Sequence, residues 1–218
     1  MDFVGEERDL VVVLAEKRLI RVAIDVDQTV ALVHPLMIEN FNKANGTNFT
    51  IEDHVDWDFK ALGSNYVEMM PFYAKVWIDQ WRQIPLIADP EQIKALGKYY
   101  ESGFLTTRSP TNEGITGGTV DTMNEWFKMH GLGGVPVDIC DPRQNKARDW
   151  DRDVYVDDSP RLADTVQGME GKFLLLIDQR YNRDVKDGER IMRVADADEA
   201  VRVLKSAARI EAVRKVRG

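Results

Sequence analysis

The chain has 218 residues, a formal net charge of −8 and a single cysteine, Cys140. That length suits one large domain or a domain carrying an inserted module, and one cysteine excludes an intrachain disulfide framework. The acidic balance argues against broad nucleic-acid binding, which needs a basic surface to displace counterions, and no apolar run approaches the roughly 20 residues of a membrane span.

Taken in chain order, short β-rich runs alternate with amphipathic stretches, the pattern of a parallel α/β sheet. Residues 1 to 18 form a helix or a loose extension, and the helix would suit a homodimer. Their polar, acidic start is unlike a secretory leader, so the expectation is a soluble, cytoplasmic protein. Strands are expected at Leu19–Asp25, Gly103–Thr106, Val135–Ile139, Asp153–Val156, Lys172–Ile177 and Ile191–Val194. Helices are expected at Val33–Ala44, Glu91–Glu101, Thr119–His130, from Pro160 to about Gln167, and over Ala197–Val216. The basic residues of this last segment (Lys205, Arg209, Arg214, Lys215, Arg217) are expected on a solvated helix face.

One interval breaks the alternation. More than seventy residues separate the first two strands, whereas a simple crossover needs one helix. The reading is a core of residues 1–29 and 89–218 with a helical cap of residues 30–88. Within the cap, Trp77 and Trp81 are four apart and are expected to pack its own interior. Trp57 and Phe59 follow a turn beside a charged residue and are candidates for stacking on a flat substrate group.

Three polar strand ends carry the chemistry. Asp25-Val26-Asp27-Gln28-Thr29 follows the first apolar strand, so both carboxylates can face one pocket. One can attack phosphorus while the other trades a proton with the leaving oxygen. Thr106, Thr107 and Arg108 follow the second strand and offer hydroxyls and a cation to phosphate oxygens. Lys146 and the adjacent pair Asp157-Asp158 complete the set, and two acids after a strand suit a hard cation such as Mg²⁺. His34, His54 and His130 show no ligand spacing, and Cys140 has no activating neighbour.

In that order and context, the residues resemble the four motifs of the haloacid dehalogenase superfamily. The resemblance implies an α/β, Rossmann-like core with a cap after the first strand. It implies Asp25 as a nucleophile that becomes phospho-aspartate and Asp27 as general acid/base. It also implies Mg²⁺ on Asp25, on the backbone carbonyl of Asp27 and on the Asp157/Asp158 pair, with Thr106 and Lys146 holding phosphate. Many members have Gly after the second Asp, where this chain has Gln28. Glu39–Asn42, Trp57–Lys60 and Asp178–Arg183 are similar to the 5′(3′)-deoxyribonucleotidase family, which implies a nucleoside monophosphate as the small-molecule partner. That family tends to carry Thr-Ser-Pro at the second motif; this chain has Thr-Thr-Arg-Ser-Pro. A sugar-phosphate phosphatase and a nucleic-acid 3′-end phosphatase are the alternatives within the superfamily, and a catalytically dead binding protein is the alternative outside it.

Overall fold

The computed structural model describes residues 20–108 and 117–217, with side chains in the last helix as far as Arg209. Residues 1 to 18, Leu19, the Ser109-Pro110 end of the second motif and the side chains of Arg214, Lys215 and Arg217 lie outside the described residues.

Six strands form one parallel sheet in the order β3-β2-β1-β4-β5-β6. They are β1 (Arg21–Ile24), β2 (Glu101–Thr107), β3 (Val137–Cys140), β4 (Val154–Asp157), β5 (Phe173–Ile177) and β6 (Ile191–Val194). β1 pairs with β2 on one side and with β4 on the other, so the strand order reverses between β1 and β4. Open α/β sheets place their ligand crevice at such a reversal, outside the carboxyl ends of the strands.

The alternation of strand side chains sorts the core into two layers. Val22 and Ile24 of β1, with Phe104 and Leu175, join a cluster on one face. It is covered by α3 (Pro90–Leu96), α4 (Thr119–Met129) and α7 (Ala197–Arg217) through Ile93, Trp126 and Val201. Ala23, Leu105 and Leu174 point the other way, toward α5 (Lys146–Asp149) and α6 (Pro160–Gln167). Gly103 lets β2 approach the next segment, because a Cβ there would sit 2.8 Å from the Pro136 carbonyl oxygen.

Between β1 and β2 the chain forms α1 (His34–Asn45), α2 (Tyr66–Asp79), then α3, with short 3₁₀ turns between. The first two helices pack together, and Phe41 and Phe72 meet edge to face at 5.5 Å. The two connections of this insert pair with each other: Leu32 N–H donates to Pro85 O at 3.0 Å, and Ile87 N–H to Val30 O at 2.9 Å. α1 ends at Gly46 in the left-handed conformation, which glycine adopts without a Cβ penalty.

Three expectations need correction. The crossover helix stops at Leu96 rather than Glu101, because Gly97 ends it and Glu101 already pairs in β2. Trp81 does not share a helical face with Trp77, because α2 ends at Asp79 and Trp81 opens a 3₁₀ turn. Trp77 is not merely interior packing of the insert: it meets Trp126 of α4 edge to face at 5.8 Å and reaches the site described next. Among the described residues no helix is long and apolar enough to cross a membrane.

Candidate active site

The carboxyl ends of β1, β2 and β4 and the start of α5 open into a cleft of about 330 Å³. Asp25 leaves β1 with its N–H bonded to Val156 O at 2.8 Å, which ties the first motif to β4. Its carboxylate Oδ1 accepts from Lys146 Nζ at 2.6 Å, and the same ammonium donates to Asp157 Oδ2 at 2.7 Å. Lys146 is aimed there by local chemistry. Asn145 caps the four-residue α5 by accepting from Ala147 N–H and Arg148 N–H, while Asp149 accepts from Asn145 N–H at 2.6 Å.

Asp157 and Asp158 are buried at the end of β4. Asp157 Oδ1 accepts from Ser159 N–H at 2.9 Å, and Ser159 in turn caps α6. Asp158 accepts from the Tyr181 hydroxyl, and its backbone oxygen accepts from Asn182 Nδ2 at 2.9 Å. Both partners belong to the Asp178–Arg183 stretch that the sequence had marked only by resemblance.

A carboxylate oxygen from each of Asp25, Asp157 and Asp158 lies within 4.8 Å of the others, all three residues are buried, and one ammonium faces them. Burial, opposed by Lys146 and reinforced by Asp157 and Asp27, pushes the Asp25 carboxyl up to about 7. Burial and the Asp157 and Asp25 charges push Asp158 well above the usual carboxylate range. Burial works against the Lys146 ammonium too, but Asp157 and Asp25 outweigh it and hold its pKa above the ordinary lysine value. Three crowded carboxylates against one cation is the charge imbalance that a divalent ion relieves, so the residues fit an oxygen-liganded divalent metal site.

Thr106 is fully buried with its Oγ1 unpartnered, and Thr107 lines the cleft beside it. A buried hydroxyl without a partner is costly, and Thr106 carries one among the residues that line the cleft. Arg108 is fully buried, does not line the cleft, and spends its guanidinium on Asp27, Tyr73 and Met123. The expectation that it holds phosphate is overturned by the direction of its side chain, which runs behind Asp27 toward the insert.

Asp27 also lines the cleft but keeps different company. Trp77 Nε1 donates to its Oδ1 at 2.8 Å, the Tyr73 hydroxyl donates to Oδ2, and an Arg108 nitrogen lies 3.0 Å from Oδ2. Tyr73 and Trp77 were not recognised as site residues from sequence. The available signal was chemical: a Tyr hydroxyl or Trp N–H on a buried helix face requires a partner.

Gln28 explains how this turn forms without glycine. It adopts the left-handed conformation (φ 59°), and its buried side-chain oxygen accepts from Val33 N–H at 2.8 Å and His34 N–H at 2.9 Å. Those are otherwise unsatisfied donors at the start of α1. The helix cap offsets the backbone strain, a trade that glycine cannot make.

His34, Trp57, Phe59 and Tyr66 also line the cleft, and Trp57 meets the Tyr181 ring edge to face at 5.5 Å. Trp57 is half-buried and its Nε1 is buried without a partner. Phe59 is almost fully buried, and one of its faces is covered by the His54 ring at 4.3 Å, nearly parallel. Burial lowers His54 to about 4 and drives His34 well below the usual histidine range, with the nearby His54 adding to the effect on His34.

No protein-family model matches the sequence, and no curated protein matches it significantly. Solved structures do. A haloacid dehalogenase-like family hydrolase from Xanthomonas campestris superposes with TM-score 0.54 at 11% identity, covering 89% of this chain and 98% of that one. A haloacid dehalogenase-like hydrolase from Burkholderia xenovorans gives TM-score 0.55 at 12% identity, covering 85% and 98%. Protein Tyrosine Kinase A from Mycobacterium tuberculosis gives TM-score 0.55 at 15% identity, covering 84% and 97%. The fold is that of the haloacid dehalogenase-like hydrolases. The kinase among these neighbours shows that function must be argued from the site.

Proposed function

We propose that this chain is a Mg²⁺-dependent phosphatase of small phosphomonoesters that works through a phospho-aspartate on Asp25, with nucleoside monophosphates the favoured substrate class. The observation that carries the reading is the constellation at the strand ends. Asp25 is held by Lys146, beside two further buried carboxylates and the unpartnered Thr106 hydroxyl.

Asp25 attacks phosphorus, splitting one difficult displacement into two easier ones. Lys146 orients the carboxylate and, with Thr106, faces the negative oxygens of the transferring group. Asp27 gives a proton to the departing oxygen and later takes one from the water that cleaves the acyl phosphate. Asp25, Asp157 and Asp158 would hold the ion, which when bound supplies positive charge to the phosphoryl oxygens.

Trp57 and Tyr66 line the same cleft and can meet a leaving group. The exposed part of the half-buried Trp57 ring supports a planar leaving group, such as a nucleobase. Phe59, also expected to stack on substrate, is instead almost fully buried and stacked on His54, so that role falls to Trp57 alone.

The test is phosphate release from 5′- and 3′-mononucleotides, sugar phosphates and a 3′-phosphorylated oligonucleotide with Mg²⁺. Preference for mononucleotides is the expected result. Preference for sugar phosphates or the oligonucleotide would remove the substrate assignment, and release from none of them would remove the phosphatase reading.

A further inference from the structure

Asp27 is bound on both carboxylate oxygens, and two of its three partners come from the insert rather than the sheet. Trp77 Nε1 lies 2.8 Å from Oδ1; one Arg108 nitrogen lies 3.0 Å from Oδ2 and 3.3 Å from Oδ1; the Tyr73 hydroxyl donates to Oδ2. Arg108 is itself fixed. Its Nε lies 3.0 Å from Met123 Sδ, another nitrogen donates to the Tyr73 hydroxyl, and its plane sits over the Trp77 ring at 4.6 Å. Tyr73 and Trp77 are one turn apart on α2, so they present their polar tips to the same carboxylate.

We propose that Tyr73, Trp77 and Arg108 are a positioning clamp that holds Asp27 for proton transfer to the leaving oxygen, a role that rests on the phosphatase reading above. Burying an arginine is expensive, and an apolar trio of similar volume would serve packing alone at least as well. Here the arginine's ion pair is with the one clamped carboxylate that also faces the cleft. The clamp therefore fixes a carboxyl that also lines the cleft.

The step balances without an outside reagent. As the Asp25–phosphorus bond forms and the phosphorus–oxygen bond breaks, the electron pair goes to the leaving oxygen, which takes the Asp27 proton and departs as an alcohol. Water then attacks phosphorus, returns its proton to Asp27 and releases inorganic phosphate, regenerating Asp25. Arg108 is carried by the end of β2 and the aromatic pair by the insert, so Asp27 is held only where the two meet.

The test exploits leaving groups. p-Nitrophenolate departs without a proton, whereas an alkoxide needs one. Values of kcat/KM for an alkyl phosphate and for p-nitrophenyl phosphate, which report the step up to phosphoryl transfer, are compared in the wild type and in Tyr73→Phe, Trp77→Phe and Arg108→Lys. The clamp predicts losses of roughly 10- to 100-fold on the alkyl ester, a share of the usual general-acid contribution, and far smaller losses on the aryl ester. Equal losses on both esters, or none, from an active wild type would overturn it. A wild type inactive on both would instead remove the phosphatase reading, and the clamp with it. Tyr73→Phe deletes a single oxygen and keeps the test available if Arg108→Lys folds poorly.

Discussion

Asp25 and Asp27 are two residues apart in the same turn, yet they live in different surroundings. Asp25 sits among its own kind, with Asp157 and Asp158 nearby and Lys146 between. Asp27 is surrounded by donors: an arginine, a tyrosine hydroxyl and an indole N–H. The first environment leaves negative charge in excess, which suits a cation and a phosphoryl group. The second fixes one carboxyl in place. One short motif thus yields two roles because the end of β4 and the start of α5 furnish the neighbours of Asp25, while the insert furnishes most of those of Asp27.

The strongest way to break this contrast is to neutralise each carboxylate in turn. Asp25→Asn should lose turnover by roughly 10³-fold or more, since a neutral amide is a poor nucleophile; phosphate release in single turnover measures it. Chelation should silence the enzyme and Mg²⁺ restore it. Because a folded-state ligand stabilises by mass action, Mg²⁺ at a hundred times its Kd should add about 2.7 kcal/mol of stability and raise Tm accordingly. Asp25→Asn should shrink that rise and Asp27→Asn should not, so equal shrinkage would erase the distinction. Asp27→Asn should cost roughly 10²- to 10⁴-fold in turnover of an alkyl ester, the usual worth of general acid–base help.

Smaller effects sharpen the picture at its edges. Gln28→Ala removes the cap on α1 and keeps the left-handed strain, and should cost about 1–2 kcal/mol in denaturant unfolding. Gln28→Gly should cost less, because glycine accepts that backbone angle freely. His54, lowered to about 4 by burial, binds a proton more readily when unfolded. Its contribution to stability is therefore present above its ordinary value of 6.5 and is lost as pH falls from there through about 4. Wild type should lose Tm relative to His54→Phe across that window; parallel curves would contradict it.

Much of the sheet was legible in the sequence because each strand is a short apolar run ending in polar residues, and buried parallel strands read that way. β6 and α6 match their expected bounds, the latter because Ser159-Pro160 marks a helix start unambiguously. Asp25, Thr106, Lys146, Asp157 and Asp158 could be grouped because each lies at or beyond the carboxyl end of a strand in a parallel sheet and so shares one edge of it. The company of Asp27 was not legible. Two of its partners are Tyr73 and Trp77, 46 and 50 residues away in an insert whose docking no local pattern encodes, and the spacing of Trp77 from Trp81 suggested only interior packing. Arg108 was misplaced for the same reason: position after a strand predicts nearness to the site, but not which way a long side chain turns. Gln28 was legible only as a departure from the Gly of many members, because the donors it accepts from, at Val33 and His34, follow from the fold.

The most direct test of the account is to trap the covalent intermediate. Protein and Mg²⁺ are mixed with a phosphomonoester labelled on phosphorus, quenched in acid within milliseconds, and the labelled peptide is identified. The account predicts an acid-stable, hydroxylamine-labile label on Asp25 that is absent from Asp25→Asn. Label on another residue, or phosphate release with no labelled protein at any time, would contradict Asp25 as the nucleophile.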